Sequence, residues 1–304
     1  MKKILVISIL FFVLVLAKIN AQNLDSLLNV ELKASSEKEY VQATFKGTRI
    51  VLGQSIENKA HGELNFMISH HFGYVNSGIY EFYGLDHAEM RLGFEYGITD
   101  RLTVGIGRSS YNKVYDGSFK LKLIQQSTGT KAIPLSISLF SSMAAYSYHW
   151  PEPNRNNLFS SRLSYAFELL IARKMNSRLS LQLTPSLIHR NLVKTSTDQN
   201  DVYSIGVGER MKLSKRFSLN AEYYYLLPGK TADDFYNSFS LGIDIETGGH
   251  VFQIFLINSS AMLEQYFIPE TAGSWAKGDI SLGFNISRNF TIIKHNKIDK
   301  NDGY

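Results

Sequence analysis

The sequence predicts an all-β fold: a transmembrane, antiparallel up-and-down β-barrel of about 12 strands, preceded by a signal peptide and a short periplasmic lead segment. Three observations predict it. A basic start and a short apolar run open the chain. Apolar and polar residues then alternate with period two through most of residues 62–286, and the connections between those stretches are alternately short and long. Period two is the strand signature. Stretches of about 10 residues suit a tilted strand crossing hydrocarbon, whereas strands of soluble domains average about 5–6.

At the N-terminus, Lys2 and Lys3 precede residues 4–17, which are apolar apart from Ser8, and Ala21 offers a small residue for cleavage. A basic start, an apolar run of about 7–15 residues and a small exit residue mark a secretory signal over 1–21. The run falls short of the about 20 residues a membrane helix needs, which disfavours an uncleaved anchor. The chain has no cysteine, which excludes a disulfide scaffold, thiolate metal sites and cysteine nucleophiles. The net charge of +5 falls to +2 once Lys2, Lys3 and Lys18 leave with the signal, with 29 basic against 27 acidic residues. No basic block marks a nucleic-acid partner.

Residues 22–60 read differently from the rest. Leu24, Leu27, Leu28 and Leu32 sit at helical spacing in a polar context, and an extended piece at 44–50 follows. This segment is either a periplasmic lead-in or a plug for the lumen. The barrel proper is expected over 61–290, with a polar tail at 291–304. Met90, Leu92, Phe94 and Tyr96 alternate with Arg91, Gly93 and Glu95; Phe217, Leu219, Ala221, Tyr223 and Tyr225 flank Asn220 and Glu222.

Short turns are read at 97–100, 127–130, 174–177, 214–216 and 247–249, and longer connections at 73–87, 149–158, 191–201, 228–235 and 259–277. The link 110–114 is short although it stands in a long slot. Outer-membrane barrels keep short turns periplasmic and long loops outside. Parity then gives twelve strands with both termini periplasmic, and keeps 44–52 out of the wall. Tyr74, Tyr80, Tyr83, Tyr111, Tyr115, Tyr148, Trp150, Tyr236, Tyr266 and Trp275 gather at the long-loop ends of strands, as an interfacial girdle would. Three residues resist the pattern. Pro185 removes a ladder donor inside a strand, and His70 and Glu209 carry lipid-face parity, which predicts an interfacial or bulged position for both.

The runs Phe82-Tyr83-Gly84-Leu85-Asp86-His87-Ala88, Arg91-Leu92-Gly93-Phe94-Glu95-Tyr96-Gly97, Gly105-Ile106-Gly107-Arg108-Ser109-Ser110 and Tyr115-Asp116-Gly117 resemble an uncharacterised family of Bacteroidota-type outer-membrane β-barrels. So do Thr44-Phe45-Lys46, Ile68-Ser69-His70-His71-Phe72-Gly73 and Gly278-Asp279-Ile280-Ser281-Leu282-Gly283-Phe284-Asn285. The resemblance spans the mature chain and implies fold and membrane, with no activity to carry over. His71 stands where the family would be expected to place an arginine, which puts any role of that cation in doubt here.

Several patterns touch on chemistry. Gly105-x-Gly107-x-x-Ser110 lacks the strand–helix context of a dinucleotide loop, and alternating glycines thin the lumenal wall instead. His61, His70, His71 and His87, with Asp86 and Glu89, offer metal-ligand types, but His70 and His71 face opposite ways in a strand. Rim and loop histidines are the plainer reading. Ser109 or Ser110 with His71 and Asp86 has the composition of a nucleophile, base and orienter, without a spacing that fixes geometry. No catalytic residue, metal or cofactor is assigned.

The polar face is the most informative set. Arg91, Glu95, Lys120, Lys122, Glu168, Arg190, Arg210, Glu222 and Asp244 all project inward by parity. Charges in a dry interior are costly unless paired, so these either line water or pair across the lumen. Their mixed signs argue against a strongly ion-selective filter, which would carry a ring of one sign. The expected partners are outer-membrane lipid and a small solute in the lumen. The leading reading is an outer-membrane channel or transporter of small solutes. The alternative is a closed structural barrel that binds a protein through loops 73–87 and 259–277, and a lipid-modifying enzyme is a third.

Overall fold

The computed structural model describes residues 38–150, 152–229, 231 and 235–293. The signal expected at 1–21, the helical pattern over 24–32 and residues 294–304 of the tail lie outside the described residues. Twelve strands close into one antiparallel barrel. The first six are β1 (Glu63–Tyr74), β2 (Ala88–Gly97), β3 (Leu102–Ser109), β4 (Val114–Ile124), β5 (Ser136–Tyr146) and β6 (Leu163–Lys174). The others are β7 (Leu179–Arg190), β8 (Asp201–Lys212), β9 (Phe217–Leu226), β10 (Ser238–Thr247), β11 (His250–Ile257) and β12 (Ser281–Thr291). Each pairs with its sequence neighbour, and β12 returns to β1 with Ile286 opposite Ile68. Closure leaves no unpaired edge, which is what hydrocarbon demands of a backbone that has no water to bond.

The alternating pattern is turned inside out relative to a soluble domain. Outward apolar side chains are exposed, Ile106 to 67 % and Ile254 to 51 %, whereas the inward Asn65, Ser69, Ser138 and Ser240 are buried. Lipid is the solvent that makes this arrangement favourable. His70 lies on the outer face, its ring stacked on Phe284 with centroids 5.0 Å apart, beside a register shift between Ser281 and Gly283 of β12. Glu209 pairs with Ala221 and Leu181 near the end of β8, toward the short turn at 213–216.

Pro185 leaves a gap in the wall. Pairing of β6 with β7 runs from Glu168 opposite Ser186 directly to Ile171 opposite Leu183 in the same register, so Leu169 and Leu170 are unpaired on the β7 side and remain paired with β5. On its other side Pro185 pairs with Ile205 in an unbroken ladder. The missing N–H therefore faces β6, and its single absence removes two consecutive pairings.

Some expectations need correction. The connection between β4 and β5 is longer than a turn at 127–130, and β5 begins only at Ser136. Residues 38–41 and 126–134 form a separate small unit in which Glu39–Tyr40 pairs with Ser127–Thr128 and Gly129 supplies a turn at φ +80°. Among the aromatics assigned to the girdle, Tyr80 is 91 % exposed, but Tyr266 is only 8 % exposed and packs against Tyr111 at 6.0 Å. The cause is that residues 258–274 fold inward and do not project as a free loop.

Gly97 marks the point where the chain enters the barrel. A Cβ there would lie 2.0 Å from the Ala60 carbonyl oxygen, while one at Gly117 would have nothing nearer than 4.0 Å. Gly97→Ala is expected to cost about 1–3 kcal/mol as an overpacking change, and Gly117→Ala within about 0.5 kcal/mol. Denaturant titration of both variants in micelles, followed by tryptophan fluorescence, checks the difference.

Candidate functional site

Two segments fill the barrel. Residues 42–60 contribute Phe45, Ile50, Val51, Leu52 and Ile56 to the buried core, and the 258–280 connection contributes Ala261, Leu263, Phe267 and Ile268. The first segment is folded on itself, with Arg49 bridged to Gln54 and backbone bonds from Ile50 to Gly53 and from Ser55 to Thr48. The second carries a short helix, α1 (Glu264–Phe267), whose residues are all buried.

The wall holds residues 42–60 through inward side chains. Glu222 accepts backbone N–H groups of Val51 at 3.2 Å, Leu52 at 2.7 Å and Gly53 at 3.1 Å. Such a carboxylate is fully occupied by the exposed donors of a tight turn, a strong charge-assisted arrangement. Gly53 is required there, because a Cβ would lie 1.9 Å from the Tyr224 hydroxyl oxygen. On the opposite side Lys120 donates to the carbonyls of Thr48, Ser55 and Glu57 at 2.9–3.1 Å. Glu95 accepts Thr48 Oγ1 at 2.5 Å and Asn65 Nδ2 at 3.2 Å, and Arg210 donates to Ser218. Asp244 accepts Gln253 Nε2 at 2.7 Å, and that same amide reaches the Ile50 carbonyl at 2.6 Å.

The two inserted segments also meet. Arg49 Nη1 lies 3.0 Å from Glu264 Oε1 in a buried ion pair, and Gln54 Nε2 reaches the same oxygen at 3.0 Å. Arg91 is paired elsewhere, through Nε and Nη2 to the Asp116 carboxylate at 3.0 and 2.5 Å. Arg190 and Lys194 both reach Glu270, at 3.0 and 2.6 Å. Glu168 accepts only the Ser186 hydroxyl, at 3.2 Å, and Lys122 is half-buried. Of the nine inward charges read from parity, Glu95, Lys120, Arg210 and Glu222 thus hold residues 42–60 directly, Arg210 through the carbonyls of Ala43 and Thr44 at 3.4 Å. Arg91 and Arg190 form ion pairs away from that segment.

Sequence reasoning missed Asp116, Arg49, Gln54, Gln182, Glu264 and Asn285. Asp116 shares the inward parity of Lys120 and was visible in principle. Arg49, Gln54 and Glu264 lie outside alternating stretches, where parity has no meaning.

The other constellations do not assemble. Ser110 donates to Glu89, Asp86 is exposed and His71 is wholly buried edge-on to Phe255, with no hydrogen bond joining Ser109, Ser110, His71 and Asp86. Exposed His87 pairs with Glu81, and His61 contacts the Ile98 carbonyl. Among the described residues, no three His, Asp or Glu side chains gather to hold a metal. At the long-loop end, Asp279 accepts the Ser274 N–H at 3.0 Å and Asn76 Nδ2 at 2.6 Å, which hold its carboxyl below the usual carboxylate range. This tie is present at neutral pH and is lost in acid as Asp279 protonates.

Glu222→Leu removes the acceptor for three buried N–H groups. The expected cost is about 1–3 kcal/mol for each donor left unsatisfied, with Glu222→Gln, which keeps one acceptor, less severe. Hydrogen exchange at Val51, Leu52 and Gly53 should accelerate in both variants, and unchanged protection would contradict the anchoring role.

Comparison with known proteins agrees with the architecture. No curated protein matches the chain. Among solved structures, the NanC porin is 7 % identical with a TM-score of 0.47, covering 76 % of this chain and 100 % of its own. The KdgM porin is 8 % identical with a TM-score of 0.44, covering 77 % of this chain and 99 % of its own. Omp33 of Acinetobacter baumannii is 8 % identical with a TM-score of 0.41, covering 78 % and 100 %. A family model described as "Membrane bound beta barrel domain (DUF5777)" matches residues 45–290, a span that takes in most of the inserted N-terminal segment and all but the last residue of the barrel wall. The chain belongs to this family of membrane-bound β-barrels.

Proposed function

We propose that this protein is an outer-membrane barrel for the passage of small solutes, held closed by residues 42–60 and opened by their displacement. The short turns and both termini face the periplasm in this reading, which rests on the expected signal peptide and on the usual asymmetry of loop lengths. One observation carries the proposal. The wall is a complete cylinder without residues 42–60, whose backbone–backbone bonds over 42–59 are internal to that segment. Side chains such as Glu222, Lys120 and Gln253 hold it in place. Water can replace such contacts when the segment leaves, so displacement need not break the ladder.

A second reading has its own support. Ile79, Tyr80 and Phe82, on the connection between β1 and β2, are 57–91 % exposed and form an apolar tip suited to a protein partner. The inward fold of 258–274 leaves the β1–β2 connection as the docking element in that case.

Planar-bilayer recording separates the two. The full chain is expected to conduct weakly, and a variant lacking residues 42–58 to conduct in large, stable steps. A correctly folded deletion variant that stays silent would sink the channel reading and favour the closed, partner-binding barrel.

A further inference from the structure

We propose that the wall at Pro185 is a lateral portal, through which a lipid-soluble molecule with an apolar body and a hydrogen-bond-donating end passes between the bilayer and the barrel interior. The proposal goes beyond axial passage and stands whether or not the lumen conducts.

Three observations converge on this spot. On the outside, a cavity of about 530 Å³ opens on the lipid face, lined by Phe119, Leu139, Phe167, Leu169, Pro185 and Ile205 among others. Its volume falls in the range of small-molecule sites, roughly 300–1,000 Å³. In the wall, Pro185 removes the pairings of Leu169 and Leu170, so the ladder is interrupted at the floor of that groove. On the inside, Leu170 belongs to a buried apolar cluster with Phe140 and Ala172 of the wall and Phe45, Ile50 and Ile56 of the inserted segment. Leu170 thus supplies an apolar contact where the ladder is interrupted, within an inward face that also carries Glu168, Thr184 and Ser186.

A second groove supplies the contrast. A cavity of about 500 Å³ lies over Ile254, Phe284 and Ile286, also on the lipid face. There the ladder between β11 and β12 is continuous from Phe252 to Ile257, and the inward neighbours are Gln253, Asn285 and the buried Phe255. Apolar grooves alone are therefore ordinary features of this wall, and the one at Pro185 is set apart by lying over two missing pairings between β6 and β7 with Glu168 beside them.

The chemical class of the solute follows from the lining. Hydrocarbon is the medium outside, and the groove has no charged side chain at its surface other than Glu168 at its edge. Glu168 is 3 % exposed and keeps Oε2 without a donor among the described residues, the Ser186 hydroxyl serving Oε1. A buried carboxylate oxygen left unpaired is costly, so it favours a ligand that brings an O–H or N–H. A long-chain alcohol or amine drawn from the membrane meets both requirements.

The test uses the full chain in lipid nanodiscs with a diazirine-bearing C12 alcohol, photolysed and mapped by peptide mass spectrometry. The expected adducts include Leu169 and Leu187 outside and Phe140, Leu170 or Ile50 inside. Pro185→Val, which restores the donor, should reduce the interior adducts at least tenfold while leaving exterior ones in place. Tyr203→Trp, which fills the groove from the lipid side, should reduce both and serves if the first variant folds poorly. Three outcomes overturn the portal: equal labelling of the two grooves with none inside, interior labelling unchanged in Pro185→Val, or adducts that vanish because the groove is covered by a second copy of the chain, seen as a Tyr203-dependent dimer.

Discussion

Hydrocarbon offers the backbone no hydrogen bonds, and the rest of this structure follows from that constraint. Each N–H and C=O crossing the membrane has to be satisfied by the sheet itself, so the twelve strands close on one another from β1 to β12. Closure fixes the side-chain problem in turn. Alternate residues face lipid and are apolar; the others face a confined interior and are free to be polar or charged. Charges there need partners, because the interior is too narrow and too filled to hydrate them singly.

The interior answers that requirement by importing chain. Residues 42–60 arrive with unpaired backbone groups, and the inward side chains of the wall meet them. Glu222 takes the donors of the 51–53 turn, while Lys120 takes three carbonyls from the other side. A turn that would expose donors and a wall that would expose charges satisfy each other. The 258–280 connection completes the filling, and the Arg49–Glu264 pair ties it to the first segment. Wall residues such as Gly53's neighbour Tyr224, and glycines such as Gly208 beneath Ile50, shape the space that admits them.

At Pro185 the constraint is relaxed. The missing N–H costs the ladder two pairings, and the wall there is apolar toward lipid, with Leu170 beside Glu168, Thr184 and Ser186 inside. The same features make it the weakest seam in an otherwise continuous sheet.

The sequence by itself determined the barrel and its strand count. Period two is a local property, and lipid on one side with chain on the other makes it legible in the strands between residues 63 and 291. Parity assigned Glu95, Lys120 and Glu222 to the inward face, and the same reading was legible for Asp116. The partners of those charges were decided only by the tertiary structure. Glu222 meets a turn 169–171 residues away in sequence, and Arg49 meets Glu264 across 215. Neither Arg49 nor Glu264 belongs to an alternating stretch, so no periodicity places them. The inward fold of 258–274, which moved Tyr266 from the expected girdle to the interior, has the same origin: a connection of that length carries no pattern to say whether it projects or inserts, and the choice is made by the space and the unpaired groups that the closed barrel presents.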